Sequence, residues 1–153
     1  MKFTPLELSG AFLIEQERYQ DKRGFFARTF CVREFESHGL VTQFIQMSTS
    51  FNHEKGQIRG MHFQKAPYEE TKIVRCTKGS IYDVMLDLRS NSSTYNQWYG
   101  EVLSAENGKM FYIPKGFAHG YKTLEDNSEI FYMMDQVYME EFAKEIKIYD
   151  FYK

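Results

Sequence analysis

The sequence predicts an all-β fold, a sandwich or barrel of many short strands. Three observations lead there. Phe and Tyr number 14 and 11 among 153 residues, and aromatic side chains suit pleated, half-buried surfaces. Strand-like runs recur at short, regular spacing through the middle of the chain. Clusters of turn-forming residues separate those runs, while helical periodicity is scarce.

The elements follow in chain order. Residues 3–14 read as extended and partly apolar. A short helix is predicted over 33–38, with Gly39 placed to end it. Strand-like runs then occupy 58–64, 72–76, 79–88, 98–104, 110–113, 117–124 and 130–137. Within 79–88 the apolar Val84, Leu86 and Leu88 fall on one face. Lys78-Gly79, Asn91-Ser92-Ser93, Glu106-Asn107-Gly108 and Asp126-Asn127-Ser128 supply turns. The stretch 139–147 fits either a helical turn or a loop. No repeat, linker or low-complexity tract interrupts the chain, so one domain over 1–153 is expected.

Composition excludes several classes of function. A formal net charge of -2, from 19 basic and 21 acidic residues, offers no general attraction to nucleic acid or an anionic membrane. A phosphate-bearing ligand would have to be held by a few placed cations. Cys31 and Cys76 form neither a disulfide framework nor a CxxC metal motif. The first residues lack the apolar run of a secretion signal, and no apolar stretch is long enough to cross a bilayer. A soluble, cytoplasmic protein is expected.

Two histidines stand apart from the polar contexts of His38 and His53. In Ile58-Arg59-Gly60-Met61-His62-Phe63-Gln64 a strand puts Gly60, His62 and Gln64 on one face and Met61 and Phe63 on the other. A polar face of this kind fits the lumen of a barrel that encloses a pocket. A hydrogen-bonded core histidine is the plainer reading of the same pattern. His119 ends the spacing Gly108-x5-Pro114-x-Gly116-x2-His119, which resembles the second half of the cupin signature and implies a double-stranded β-helix, or jelly-roll, barrel with short peripheral helices. The first half of that signature usually supplies His-x-His and then Glu. Here Gln64 replaces the second histidine, and an amide is a poor ligand for a catalytic metal. A metal site of His62, Glu69 and His119 is the alternative.

Longer stretches narrow the resemblance. Asp21-Lys22-Arg23-Gly24-Phe25-Phe26, Arg59-Gly60-Met61-His62-Phe63-Gln64, the run from Lys72 to Ser80, Asp83-Val84-Met85-Leu86-Asp87-Leu88-Arg89 and Tyr112-Ile113-Pro114-Lys115-Gly116-Phe117-Ala118-His119-Gly120 together resemble the dTDP-4-dehydrorhamnose 3,5-epimerase family, over roughly residues 15–150. This branch of the cupins is metal-free and needs no cofactor. The resemblance implies an epimerase of a nucleotide-linked 4-keto-6-deoxyhexose, serving deoxysugar and polysaccharide biosynthesis. The C4 ketone acidifies the hydrogens at C3 and C5. A base removes one, a cation or donor holds the enolate oxygen, and an acid returns a proton to the opposite face. By resemblance His62 is the base, Lys72 faces the C4 oxygen and Tyr132 donates the returning proton. His119 helps hold the sugar. Arg23 and Arg59 bind the diphosphate, which suits guanidinium forks. Tyr138 lies against sugar or nucleotide, with Gln46 and Lys78 as further nucleotide contacts. The resemblance also implies a homodimer that exchanges N-terminal strands, here residues 3–14.

Three departures qualify the substrate. Family members continue past the equivalent of Tyr149-Asp150 to an aspartate that pairs with the catalytic histidine, fixing its tautomer. This chain stops at Lys153, so Asp83, Asp135 or Glu129 is expected to stand in. Arg28 occupies a position where the family commonly has Glu, and Ser48 one where it often has Asn. These changes admit a CDP-linked sugar beside a dTDP-linked one, and reaction at C3 alone, C5 alone or both, with a lean to C3. The alternatives are a catalytically impaired sugar-nucleotide binding protein and a 3,4-ketoisomerase of the same sugars, although Gln64 departs from the paired histidines of the latter.

Overall fold

A computed structural model describes residues 1–147 and 150–152. Tyr149, next to the end of the resemblance, lies outside the described residues. In chain order the strands are β1 (Lys2–Pro5), β2 (Phe12–Glu15), β3 (Arg18–Asp21) and β4 (Gly24–Ala27), followed by helix α1 (Val32–Ser37). The remaining strands are β5 (Gln46–Asn52), β6 (Ile58–Gln64), β7 (Lys72–Lys78), β8 (Ser80–Asp87), β9 (Trp98–Ser104), β10 (Lys109–Ile113), β11 (Phe117–Thr123), β12 (Ser128–Met134) and β13 (Ala143–Glu145). A 3-10 turn covers Asp150–Tyr152.

These strands form the two sheets of a jelly roll. One runs β1-β2-β10-β7-β12-β5 and the other β13-β6-β11-β8-β9, while β3 and β4 make a separate hairpin. Period-two alternation sorts each strand between two environments. On β7, Val74 and Cys76 enter the core between the sheets with Ile81, Met85, Phe111, Phe117 and Ile130. Ile73, one residue away, faces outward under α1 with Phe35, Met110 and Tyr112. The second sheet behaves alike: Val84, Leu86 and Ala118 turn outward, where Tyr152 and Phe151 cover them. The expected face of Val84, Leu86 and Leu88 is this outer one.

The short helix lies within one residue of its expected bounds. The His38 N–H donates to the Phe35 carbonyl and Gly39 ends the turn at φ +68°. The stretch 139–147 differs from both readings of the sequence. After a turn it forms β13, an edge strand on β6. Ala-Lys-Glu carries no apolar alternation, so its conformation comes from the β6 backbone it pairs with. The segment 3–14 falls in β1 and β2; within the chain β1 pairs with β2, and β2 with β10.

Candidate active site

A cavity of about 430 Å³ lies between the sheets, lined in part by Arg59 and His62 of β6, Lys72 of β7, His119 of β11, Tyr132 of β12 and the downstream Tyr138. Strand alternation explains the convergence. Lys72 shares its face with Val74, Tyr132 with Ile130, and His62 with Gly60 and Gln64. Met61 turns to the outer cluster, as the β6 pattern predicts, while Phe63 packs against that cluster and also lines the cavity.

Close approach of β6 to β11 requires glycine at Gly60. Its φ is +97°, and a Cβ there would lie 2.6 Å from the His119 carbonyl oxygen and 2.9 Å from Gly120 Cα. The ladder is irregular at this point, with a register shift between His119 and Tyr121. A bulge of this kind re-aims side chains.

Each polar group of the cavity has a distinct setting. The Lys72 Nζ is 2.9 Å from Glu70 Oε1, with side chains only 11% and 5% exposed. The half-exposed His62 has its pKa lowered, first by burial and then by the Lys72 charge, so its resting form is the neutral imidazole. His119 Nε2 sits 2.7 Å from Asp83 Oδ1. Both atoms are buried, and no other described group hydrogen-bonds to either. Burial raises the pKa of Asp83 and outweighs the opposing influence of His119. At the mouth, the Arg59 Nε donates to Asn52 Oδ1 at 2.7 Å. The Tyr121 hydroxyl, its pKa raised by burial, meets Ser50 Oγ and accepts from Asn52 Nδ2.

Several expected residues lie elsewhere. Arg23 projects from the β3–β4 hairpin, tied to Asp21 at 2.6 Å, and is not among the residues lining the cavity. Gln46 does not line it either, but its Oε1 accepts from the N–H of Tyr138 and so fixes that residue's backbone. Lys78 lies over the Phe51 ring, and Arg28 pairs with Glu34. Gln64 is structural: it accepts from the Met139 N–H and donates to the Tyr68 and Val137 carbonyls. The three carboxylates expected to serve His62 have other partners. Asp83 meets His119, Asp135 accepts from the Thr71 N–H and pairs with Lys115, and Glu129 accepts from the Thr77 hydroxyl. The residues that sequence reasoning missed are Glu70 and Glu145, both on the cavity wall. The spacing of Glu70 to Lys72 was visible; the approach of Glu145 was not, because it depends on β13.

Among the described residues no three His, Cys, Asp or Glu side chains are grouped to hold a metal ion. Glu69 does not line the cavity.

Known proteins resemble this chain in sequence and in fold. The model of the dTDP-4-dehydrorhamnose 3,5-epimerase family matches residues 5–152. The dTDP-4-dehydrorhamnose 3,5-epimerase of Methanothermobacter thermautotrophicus is 42% identical over 141 residues, covering 92% of this chain and 75% of that protein. The enzyme of that name from Bacillus anthracis, solved with TDP and pyrophosphate, superposes with a TM-score of 0.92 at 38% identity, covering 95% of this chain and 83% of that one. The Legionella pneumophila dTDP-6-deoxy-D-glucose-3,5-epimerase, solved with dTDP-4-keto-L-rhamnose, gives 0.91 at 34%, covering 97% and 79%. Matched along nearly its whole length in sequence and in fold, the chain belongs to the dTDP-4-dehydrorhamnose 3,5-epimerase family.

Proposed function

We propose that this chain is an epimerase of a nucleotide-linked 4-keto-6-deoxyhexose, acting at C3, C5 or both by proton abstraction and opposite-face reprotonation. The carrying observation is that His62, Lys72 and Tyr132 line one cavity with Arg59 at its mouth. Neutral His62 is the base. Lys72 meets the oxygen that becomes negative in the enolate, a stabilisation commonly worth about 2.7–4 kcal/mol. The Tyr132 hydroxyl returns the proton, His119 holds the sugar, and Tyr138 lies against sugar or nucleotide. Thymidine is the favoured base, because relatives of this chain are solved with TDP and with a dTDP-sugar.

The chain acts as one domain and as a homodimer. Support comes from the isolated β3–β4 hairpin, whose Tyr19 and Phe26 are 69% and 67% exposed. A second protomer would cover those rings and carry Arg23 to its own partner's diphosphate. Cytoplasmic deoxysugar supply for polysaccharide suits two free thiols, Cys31 and Cys76, and no described helix is long and apolar enough to cross a membrane.

The test is NMR in deuterated water with dTDP- and CDP-4-keto-6-deoxyglucose. Exchange at C3, C5 or both, lost in His62→Asn, supports the reading. Nucleotide binding without exchange moves it to a binding protein; a shift of the keto group from C4 to C3 moves it to a ketoisomerase. Light scattering decides the dimer, and a monomer overturns it.

A further inference from the structure

The β6–β13 ladder carries one consequence for the base. Glu145 stands directly opposite His62 in the antiparallel register, an arrangement that puts two side chains on the same face within reach of each other. His62 Nε2 and Glu145 Oε1 are 3.8 Å apart, and both residues line the cavity. The backbone clamps this pair from the next residue on. The Met61 N–H donates to the Ile146 carbonyl at 2.9 Å, and the Ile146 N–H returns a bond to the Met61 carbonyl at 2.8 Å.

We propose that Glu145 is the positioning carboxylate of His62, orienting the imidazole and stabilising the imidazolium formed when His62 takes the sugar proton. The proposal rests on the reading of His62 as base. The balance is simple: the C–H electron pair passes into the enolate, the proton moves to His62, and Glu145 supplies the counter-charge without taking the proton.

The charges around His62 favour this division. Burial, Lys72 from β7, His119 from β11 and Arg59 from β6 oppose its protonation; Glu145 from β13 favours it. The imidazole therefore rests neutral, as a base must, and meets an anion once it is charged. At 3.8 Å the contact is an ion-pair distance and not a hydrogen bond. The coupling strengthens when the ring acquires its charge, which is the moment of proton transfer. Asp83, Asp135 and Glu129 are engaged with other groups.

The test compares the unsubstituted chain with Glu145→Gln, Glu145→Asp and His62→Asn by two readouts: the pH dependence of C3 and C5 proton exchange, and the NMR titration of the His62 ring without substrate. Glu145→Gln is expected to lower kcat about 10- to 100-fold, less than the full contribution of a general base, with KM little changed. The sign for pH follows from the charge removed. Without the anion the His62 midpoint moves to lower pH, and the acid limb of kcat/KM moves with it. Glu145→Asp keeps the charge and restores most of both. An unmoved His62 midpoint in Glu145→Gln overturns the proposal. So does a loss of exchange as complete as that of His62→Asn, which would make Glu145 itself the reacting group. Failure of the epimerase reading is distinct: the unsubstituted chain would exchange no proton, while the ring titration still decides the pairing.

Discussion

The Lys72–Glu70 pair allows a prediction that separates stability from chemistry. Both side chains are almost wholly buried and their charged atoms are 2.9 Å apart. Replacing Lys72 with Met removes the cation and leaves the Glu70 carboxylate buried without its partner. Breaking a buried pair in this way costs about 3–5 kcal/mol, because the remaining charge is uncompensated. For a domain of this size each kcal/mol moves Tm by about 2–4 °C, so a fall of roughly 10 °C is expected. Lys72→Met/Glu70→Gln replaces both charges with groups of similar shape and should recover most of that loss, giving a coupling energy above about 2 kcal/mol in the double-mutant cycle. Turnover should behave differently. Both variants lack the cation proposed to face the enolate oxygen, so both should lose about 10²–10³-fold in kcat. Urea unfolding and thermal melts give the first quantity; deuterium exchange at the sugar gives the second. A single variant destabilised by less than about 1 kcal/mol, or a double variant no more stable than the single, refutes the buried-pair argument. Recovery of turnover in the double variant refutes the role of Lys72.

Other perturbations test the surrounding geometry. Gly60→Ala puts a Cβ against the His119 carbonyl at a positive φ and should destabilise by about 2 kcal/mol or more, seen as a lower urea midpoint at unchanged m-value. Arg59→Ala should raise KM for the nucleotide sugar about 10-fold or more with kcat little changed, the pattern of lost uniform binding. Asp87 and Asp83 should act oppositely on stability against pH. Burial alone would raise the Asp87 pKa, but hydrogen bonds from Arg89, Ser92 and Thr94 prevail and depress it; its stabilisation is present above the unfolded value of 3.8 and lost as pH falls through the lower folded one. The Asp83 pKa is raised by burial, so its contribution is full below 3.8 and lost as pH rises through the folded value. Chemical unfolding from pH 3 to 8 checks both: Asp87→Asn should flatten the acid side, and Asp83→Asn should hold or gain stability at neutral pH while turnover falls.

How much of this was legible in the sequence depends on what sets each feature. Strand faces are set by alternation along one segment, so the inward face of His62 and the outward face of Met61 could be read directly from β6. His119 sits in a motif of fixed spacing, which brings the Pro114–Gly116 turn and the strand after it together. Glu145 has no such signal. Ala143–Glu145 is a strand only because β6 offers an open edge, and a residue placed by pairing leaves no periodicity of its own. The sequence therefore offers Asp83, Asp135 and Glu129 as candidate carboxylates for His62. All three are spent on other work: Asp83 under His119, Asp135 on the Thr71 backbone, and Glu129 on Thr77.

Arg23 shows the converse limit. Its motif matched the family as closely as that of Arg59, yet one residue lines the cavity and the other rides an exposed hairpin. A motif records that a residue meets the ligand and is silent on which protomer's ligand it meets. In the proposed homodimer a second protomer would cover the exposed Tyr19 and Phe26 near Arg23 and receive that arginine. On that reading Arg23→Ala should raise KM in the dimer, as Arg59→Ala does. In a mixed dimer of Arg23→Ala with His62→Asn, one cavity keeps its own His62 but faces the other protomer's Arg23. That hybrid should therefore regain one site of normal KM, at half the kcat of the unsubstituted dimer. A hybrid whose working site keeps the raised KM would place Arg23 in its own protomer's site and refute the exchange.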